Sequence, residues 1–144
     1  MEKLIEQLKV ILGTNFVLYF KGHTFHWNVE GPDFAQYHSY LNEFYDSVFG
    51  QTDDIAEHIR QLDAYAPTGL SRMLELSALE ETDTVPDALE MLSILKNDND
   101  KYIIQLRAGI VLAESANEPA ISNFLQDLLS AHQKHAWMLR SFAR

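Results

Sequence analysis

Residues 34–62 read FAQYHSYLNEFYDSVFGQTDDIAEHIRQL, and this stretch decides the fold. Phe34, Tyr37, Leu41, Phe44, Val48, Ile55, Ile59 and Leu62 recur at alternating steps of three and four, with one gap around Gln51. Such a stripe lines one face of a long helix and marks a member of a helical bundle. Gly31-Pro32-Asp33 breaks the chain before it and offers Asp33 as an N-cap. Ala66-Pro67-Thr68-Gly69 is the turn that ends it.

Working outward, Leu4, Leu8, Ile11, Asn15 and Leu18 predict a first helix from about Glu2 to Asn28. Gly13 and Gly22 weaken it, each by ~1 kcal/mol against Ala. A short helix is expected over Ser71 to Leu79, capped by Ser71. Thr84-Val85-Pro86-Asp87 starts the third long helix, with Pro in its first turn and Leu89, Leu92, Leu95, Tyr102, Leu106 and Ile110 facing the core. The polar run Asn97-Asp98-Asn99-Asp100-Lys101 reads as the solvated side of that helix. Asn117-Glu118-Pro119 opens the last helix as cap, acid and first-turn Pro, and Ile121, Leu125, Leu128, His135 and Leu139 or Met138 continue it. No strand pattern, repeat or low-complexity tail competes. The expectation is one all-α domain over residues 1–144, a four-helix bundle with a short extra helix between the second and third members. The connection carrying that short helix is long enough to cross the bundle, so simple up-down topology need not hold.

Composition narrows the chemistry. With 144 residues, 47% of them hydrophobic, the chain has the material for a sizeable core. Cys is absent, which excludes disulfides, thiolate metal sites and Cys nucleophiles. Any metal must be held by imidazole, carboxylate, amide, carbonyl or water, a set suited to iron, manganese or zinc. The 11 basic and 21 acidic residues give a net charge of −10, and no basic patch is present for nucleic acid. An acidic surface draws cations instead. Glu2, Lys3, Glu6 and Lys9 interrupt the N-terminal apolar residues, so that segment does not read as a signal peptide. The apolar stretches are too short and amphipathic for a membrane span, and a cytoplasmic location is expected by default.

Four residues of metal-binding type stand out: His26, His38, Asp53 and Glu57. His26 ends the first helix and His38 begins the second, so the reversal at Gly31-Pro32 can bring the two imidazoles together. Asp53 and Glu57 are one turn apart and project from one helical face. His38 and Asp53 share a helix, however, and 15 residues at 1.5 Å each put them about 22 Å apart. An antiparallel twofold contact between the second helix and its copy would join one chain's histidines to the other's carboxylates. The usual di-iron site inside a bundle needs Glu-x-x-His on two helices, and that motif is absent. Plainer readings exist for each residue: an Asp-x-x-x-Glu pair is common on solvated faces, and a hydrogen-bonded structural His is commoner than a ligand. His23, His58, His132 and His135 read as structural or surface residues. Trp27, Phe16, Tyr19, Phe20 and Phe25 read as core.

The segment His26-Trp27-Asn28, followed by His38, Asp53 and Glu57 at this spacing, resembles the signature of the Dps family. These are the mini-ferritins, or DNA-protection-during-starvation proteins. Lys134-His135-Ala136-Trp137-Met138-Leu139 is similar to the family's last helix, so the resemblance covers nearly the whole chain. It implies a ferritin-like subunit, a hollow shell of twelve copies, and ferroxidase centres at twofold interfaces. There hydrogen peroxide, and oxygen less readily, would oxidise Fe(II) for storage as ferric mineral. His26 and His38 match the family's histidine ligands, Asp53 and Glu57 its carboxylates from the partner subunit, and Trp27 an aromatic that could intercept radicals. Asn42 is a departure, since many relatives carry Asp there to help hold a second, weaker iron. Glu118, Asn123 and Asp127 look similar to the acidic pattern of the family's threefold pores. DNA-binding relatives commonly use a lysine-rich tail, and the first helix here begins almost at Met1, so direct DNA binding is expected to be weak or absent. The rival expectation is a DNA-compacting nucleoid protein with a residual metal site.

Overall fold

The computed structural model describes residues 1–144 as five helices and no strands: α1 (Glu2–Asn28), α2 (Phe34–Gln61), α3 (Leu70–Leu76), α4 (Ala88–Ser115) and α5 (Pro119–Phe142). The α2 stripe does what its period requires. Leu41, Phe44, Val48, Ile55 and Ile59 are fully buried, while Phe34 at the entrance is largely exposed. Each buried side chain of this size contributes about 1.5–3 kcal/mol of hydrophobic stabilisation.

Side-chain contacts give the direction of each helix. Along α1, Gln7 pairs with Gln105 and Lys21 with Asp98, so α1 and α4 are antiparallel. Along α2, Tyr37 packs on Phe142 and His58 on Phe124, so α2 and α5 are antiparallel as well. Asn99 meets His132 and Glu114 meets Ser122, which makes α4 and α5 antiparallel in turn. Thus α2 and α4 run parallel, and residues 62–87 carry the chain across the bundle between them. That is the crossover topology of ferritin-like bundles.

The crossover is pinned on α1, and Gly13 makes this possible. A Cβ there would lie 2.7 Å from the Met73 carbonyl oxygen and 2.9 Å from Leu76 Cβ. Next to it, Thr14 Oγ1 accepts from the Ala78 N–H at 3.0 Å. Gly22 similarly admits the Phe44 ring, which would stand 2.8 Å from an added Cβ. Both glycines trade helix propensity for close packing.

Several local expectations are corrected. The run Asn97–Lys101 is solvated only in part: Asn97 and Lys101 are exposed, but Asn99 is fully buried, Asp98 is nearly so, and Asp98 forms a buried ion pair with Lys21 at 2.6 Å. Leu89 faces outward. Pro86 precedes α4, whose cap is Asp87, its carboxylate accepting from the Glu90 N–H at 2.9 Å. Glu118 rather than Asn117 precedes Pro119 at the start of α5, and Asn117 instead takes a left-handed φ of 56° to close the preceding turn. Neither Asp33 nor Ser71 caps through its side chain; Gly69 occupies the position before α3.

Candidate metal centre

The turn between α1 and α2 sets the two histidines against each other. Val29 is buried at the end of α1, and Gly31 takes a φ of 117° that suits only glycine. The chain reverses within five residues and stacks the His26 and His38 rings, 3.7 Å apart and 16° from parallel. Each imidazole donates its Nδ1–H to the other residue's backbone carbonyl, both at 2.8 Å. A carbonyl can only accept, so each Nδ1 carries a proton and each Nε2 is left without a partner in the chain. Phe34 stacks on His38, with centroids 4.8 Å apart, and Tyr45 lies 5.2 Å from the His26 ring. Imidazoles held by backbone carbonyls at one nitrogen, with the other nitrogen open, are the usual preparation for a metal ligand.

Asp53 and Glu57 stand on the exposed surface of α2, one turn apart, with no ion pair or hydrogen bond within the chain. No three His, Asp or Glu side chains of one subunit come together as a metal-holding group. The structure therefore brings His26 to His38, leaves Asp53 with Glu57, and keeps the two pairs apart. Asn42, one turn after His38, is already engaged: its amide donates to Asp46 at 3.3 Å and accepts from the Tyr45 hydroxyl at 3.0 Å.

Around the histidines lies an aromatic face that a core reading misplaces. Of Phe16, Tyr19, Phe20, Phe25 and Trp27, only Phe25 is buried; Trp27 is 59% exposed and Phe20 50%. Trp27 sits edge-on to Phe20 and 4.8 Å from the His23 ring. His23 stacks flat on Tyr45 at 3.8 Å and holds the Tyr19 hydroxyl at 2.8 Å from Nδ1. Burial and then the neighbouring His26 keep His23 below the usual imidazole pKa, while burial raises Tyr19.

Inside the bundle lies a second polar group; the sequence reads His132 and His135 as structural or surface residues, but the connection of His132 to Asn99 and Gln51 is not legible in it. His132 is fully buried, its Nδ1 2.7 Å from Asn99 Oδ1 and its Nε2 2.9 Å from the Gln51 amide. His135 lies between the Tyr40 hydroxyl and Ser47. Tyr102 donates to Asn15, whose amide in turn donates to Val48 O and Thr52. Burial pushes His132 down to about 3 and His135 to about 4, so both are neutral. Phase could have found them: Asn99 falls between Leu95 and Tyr102 on the α4 stripe, and His132 falls four residues after Leu128.

At the start of α5, Glu118 and Asn123 line one small polar cleft, together with Glu114, Asn117 and Ser122. Asp127 lies exposed farther along the helix, outside that cleft. No helix is long and apolar enough to cross a membrane.

A family model described as a ferritin-like domain matches residues 5–144. A DNA protection during starvation protein of Brevibacillus brevis is 31% identical over 147 aligned positions, covering 99% of each chain. A crystal structure of a Dps protein from Bacillus brevis superposes with a TM-score of 0.95 at 29% identity, over 99% of this chain and 96% of that one. A Dps protein from Vibrio cholerae O1, described as one of a broad superfamily of ferritin-like diiron-carboxylate proteins, gives a TM-score of 0.93 at 26% identity, over 99% and 90%.

Proposed function

The chain belongs to the Dps family of ferritin-like proteins, and from that premise we propose that it oxidises Fe(II) at centres shared between two subunits and stores the ferric product within a shell of its own copies. The observation that carries this reading is the reciprocal His26–His38 bond, which spends both Nδ1 atoms on structure and leaves both Nε2 atoms for an ion. Asp53 and Glu57 are the complementary half: two carboxylates without partners, able to neutralise Fe(II) and to favour the more highly charged ferric state. Twofold pairing of α2 with its copy joins the halves and makes two equivalent centres per dimer. The half-exposed Phe20, Phe49 and Trp27 supply apolar surface for that contact.

Hydrogen peroxide is the preferred oxidant and oxygen the slower one, with iron as substrate rather than resident cofactor. Twelve subunits form the shell. Glu118 and Asp127 gather around its threefold openings and concentrate Fe(II) there. Protection of DNA is chemical, by consuming Fe(II) and peroxide together. Twelve chains at −10 each carry about −120, which repels phosphate and disfavours a DNA-compacting role.

The test is the double substitution Asp53→Ala/Glu57→Ala. It should abolish fast ferric formation on adding peroxide to Fe(II)-loaded protein while helicity and assembly size stay unchanged. An unchanged oxidation rate in a correctly assembled variant would reject the assignment.

A further inference from the structure

We propose that Tyr19 and His23 form a redox pair serving the iron centre: Tyr19 supplies an electron while its phenolic proton passes to His23 Nδ1. This rests on the ferroxidase reading above and adds to it a donor that the ligand set lacks. His26, His38, Asp53 and Glu57 suffice for one ferrous ion. Asn42, one turn after His38 on α2, is neutral and its amide is held by Asp46 and Tyr45. One Fe(II) yields one electron, whereas reduction of hydrogen peroxide to water takes two. A centre with a single iron therefore releases hydroxyl radical unless another donor is within reach.

The aromatic face provides one. Rings run without a break from His26 to Tyr45 at 5.2 Å, from Tyr45 to the stacked His23 at 3.8 Å, and from Tyr45 to Tyr19 at 6.3 Å. What singles out Tyr19 is the fate of its proton. An oxidised phenol is a strong acid, so it is a good donor only where a base accepts its proton as the electron leaves. Tyr19 has that base, with its hydroxyl 2.8 Å from an imidazole nitrogen. Tyr45 does not, because its hydroxyl is bonded to the Asn42 amide oxygen, which is no base. Trp27 is 59% exposed and makes no side-chain hydrogen bond within the chain. Tyr40 also meets an imidazole, that of His135, but belongs to the buried group across the bundle.

The step balances. Fe(II) and Tyr19 each give one electron to hydrogen peroxide, the O–O bond breaks, and two protons from solvent complete two waters. The products are Fe(III), a neutral tyrosyl radical and protonated His23. A second Fe(II) arriving at the centre returns the electron, His23 returns the proton, and the pair is restored.

The experiment is freeze-quench electron paramagnetic resonance on protein loaded with one Fe(II) per centre and mixed with one equivalent of hydrogen peroxide. The expected result is a transient tyrosyl signal that narrows with ring-deuterated tyrosine, disappears in Tyr19→Phe and persists in Trp27→Phe. His23→Gln, which keeps the phenol but removes the base, should lower its yield several-fold. Spin-trapped hydroxyl radical should rise several-fold in Tyr19→Phe while ferric formation stays fast. Fast ferric formation with no tyrosyl radical in the wild-type protein, or an undiminished signal in Tyr19→Phe, would overturn the pair and leave the ferroxidase reading standing. Ferric formation no faster than in buffer would overturn both.

Discussion

Two pairs of histidines in this subunit have opposite circumstances. His132 and His135 lie inside the bundle, where His132 meets amides at both ring nitrogens and His135 two hydroxyls. His26 and His38 lie at the surface with one nitrogen each committed and one open. The carboxylates divide the same way: Asp98 is buried against Lys21, and Asp53 is exposed with no partner. A polar group whose bonding is complete within the chain is part of the fold, since leaving it unpaired in the interior would be costly. One whose bonding is half complete, yet whose orientation is fixed, is prepared for something outside the chain. On the proposed reading, completeness of bonding rather than residue type separates structure from function.

The largest effect expected from breaking this contrast is on stability. Asp98→Ala strands the Lys21 ammonium in the core and should cost about 3–5 kcal/mol. Asp53→Ala, the same chemical change at the surface, should fall within ~0.5 kcal/mol. Chemical denaturation of the two variants makes the comparison, and equal losses would erase the distinction.

The next effect depends on pH. His132 and His135 titrate near 3 and 4 in the folded chain, against about 6.5 when unfolded. Between those values the unfolded chain binds more protons, so stability is full above about pH 6.5 and declines as pH falls toward 4. The two together amount to several kcal/mol, since each tenfold loss of proton affinity on folding is worth about 1.4 kcal/mol. Thermal unfolding followed from pH 7 to pH 4 should show the decline, with a shallower slope in His132→Leu even though that variant starts less stable. An identical slope would mean that other groups govern acid sensitivity.

Much of the fold is legible because α2 and α5 carry their apolar residues in strict phase. The run Asn97–Lys101 misleads because polarity suggests exposure, although Asn99 keeps the step from Leu95 to Tyr102. Phase is the better guide. Cap positions slip by a residue or so because Asn117 closes the turn before α5 and Pro86 lies just outside α4. The pairing of His26 with His38 follows from the short reversal between two helices. Their mutual backbone bonds do not, since those depend on ring orientation. Trp27 and Phe20 look like core because size and apolarity do not reveal whether a residue is to be covered by its own chain or by another.

The central claim is that one chain's histidines work with another chain's carboxylates. Its most direct test is to co-assemble His26→Ala/His38→Ala subunits with Asp53→Ala/Glu57→Ala subunits, each inactive alone, and to measure peroxide-driven iron oxidation. Every mixed dimer would contain one centre with both halves intact, so random mixing in equal amounts should restore about a quarter of the wild-type centres. Activity that stays at the level of the separate variants in assemblies shown to be mixed would contradict the account and place the four residues in unrelated roles.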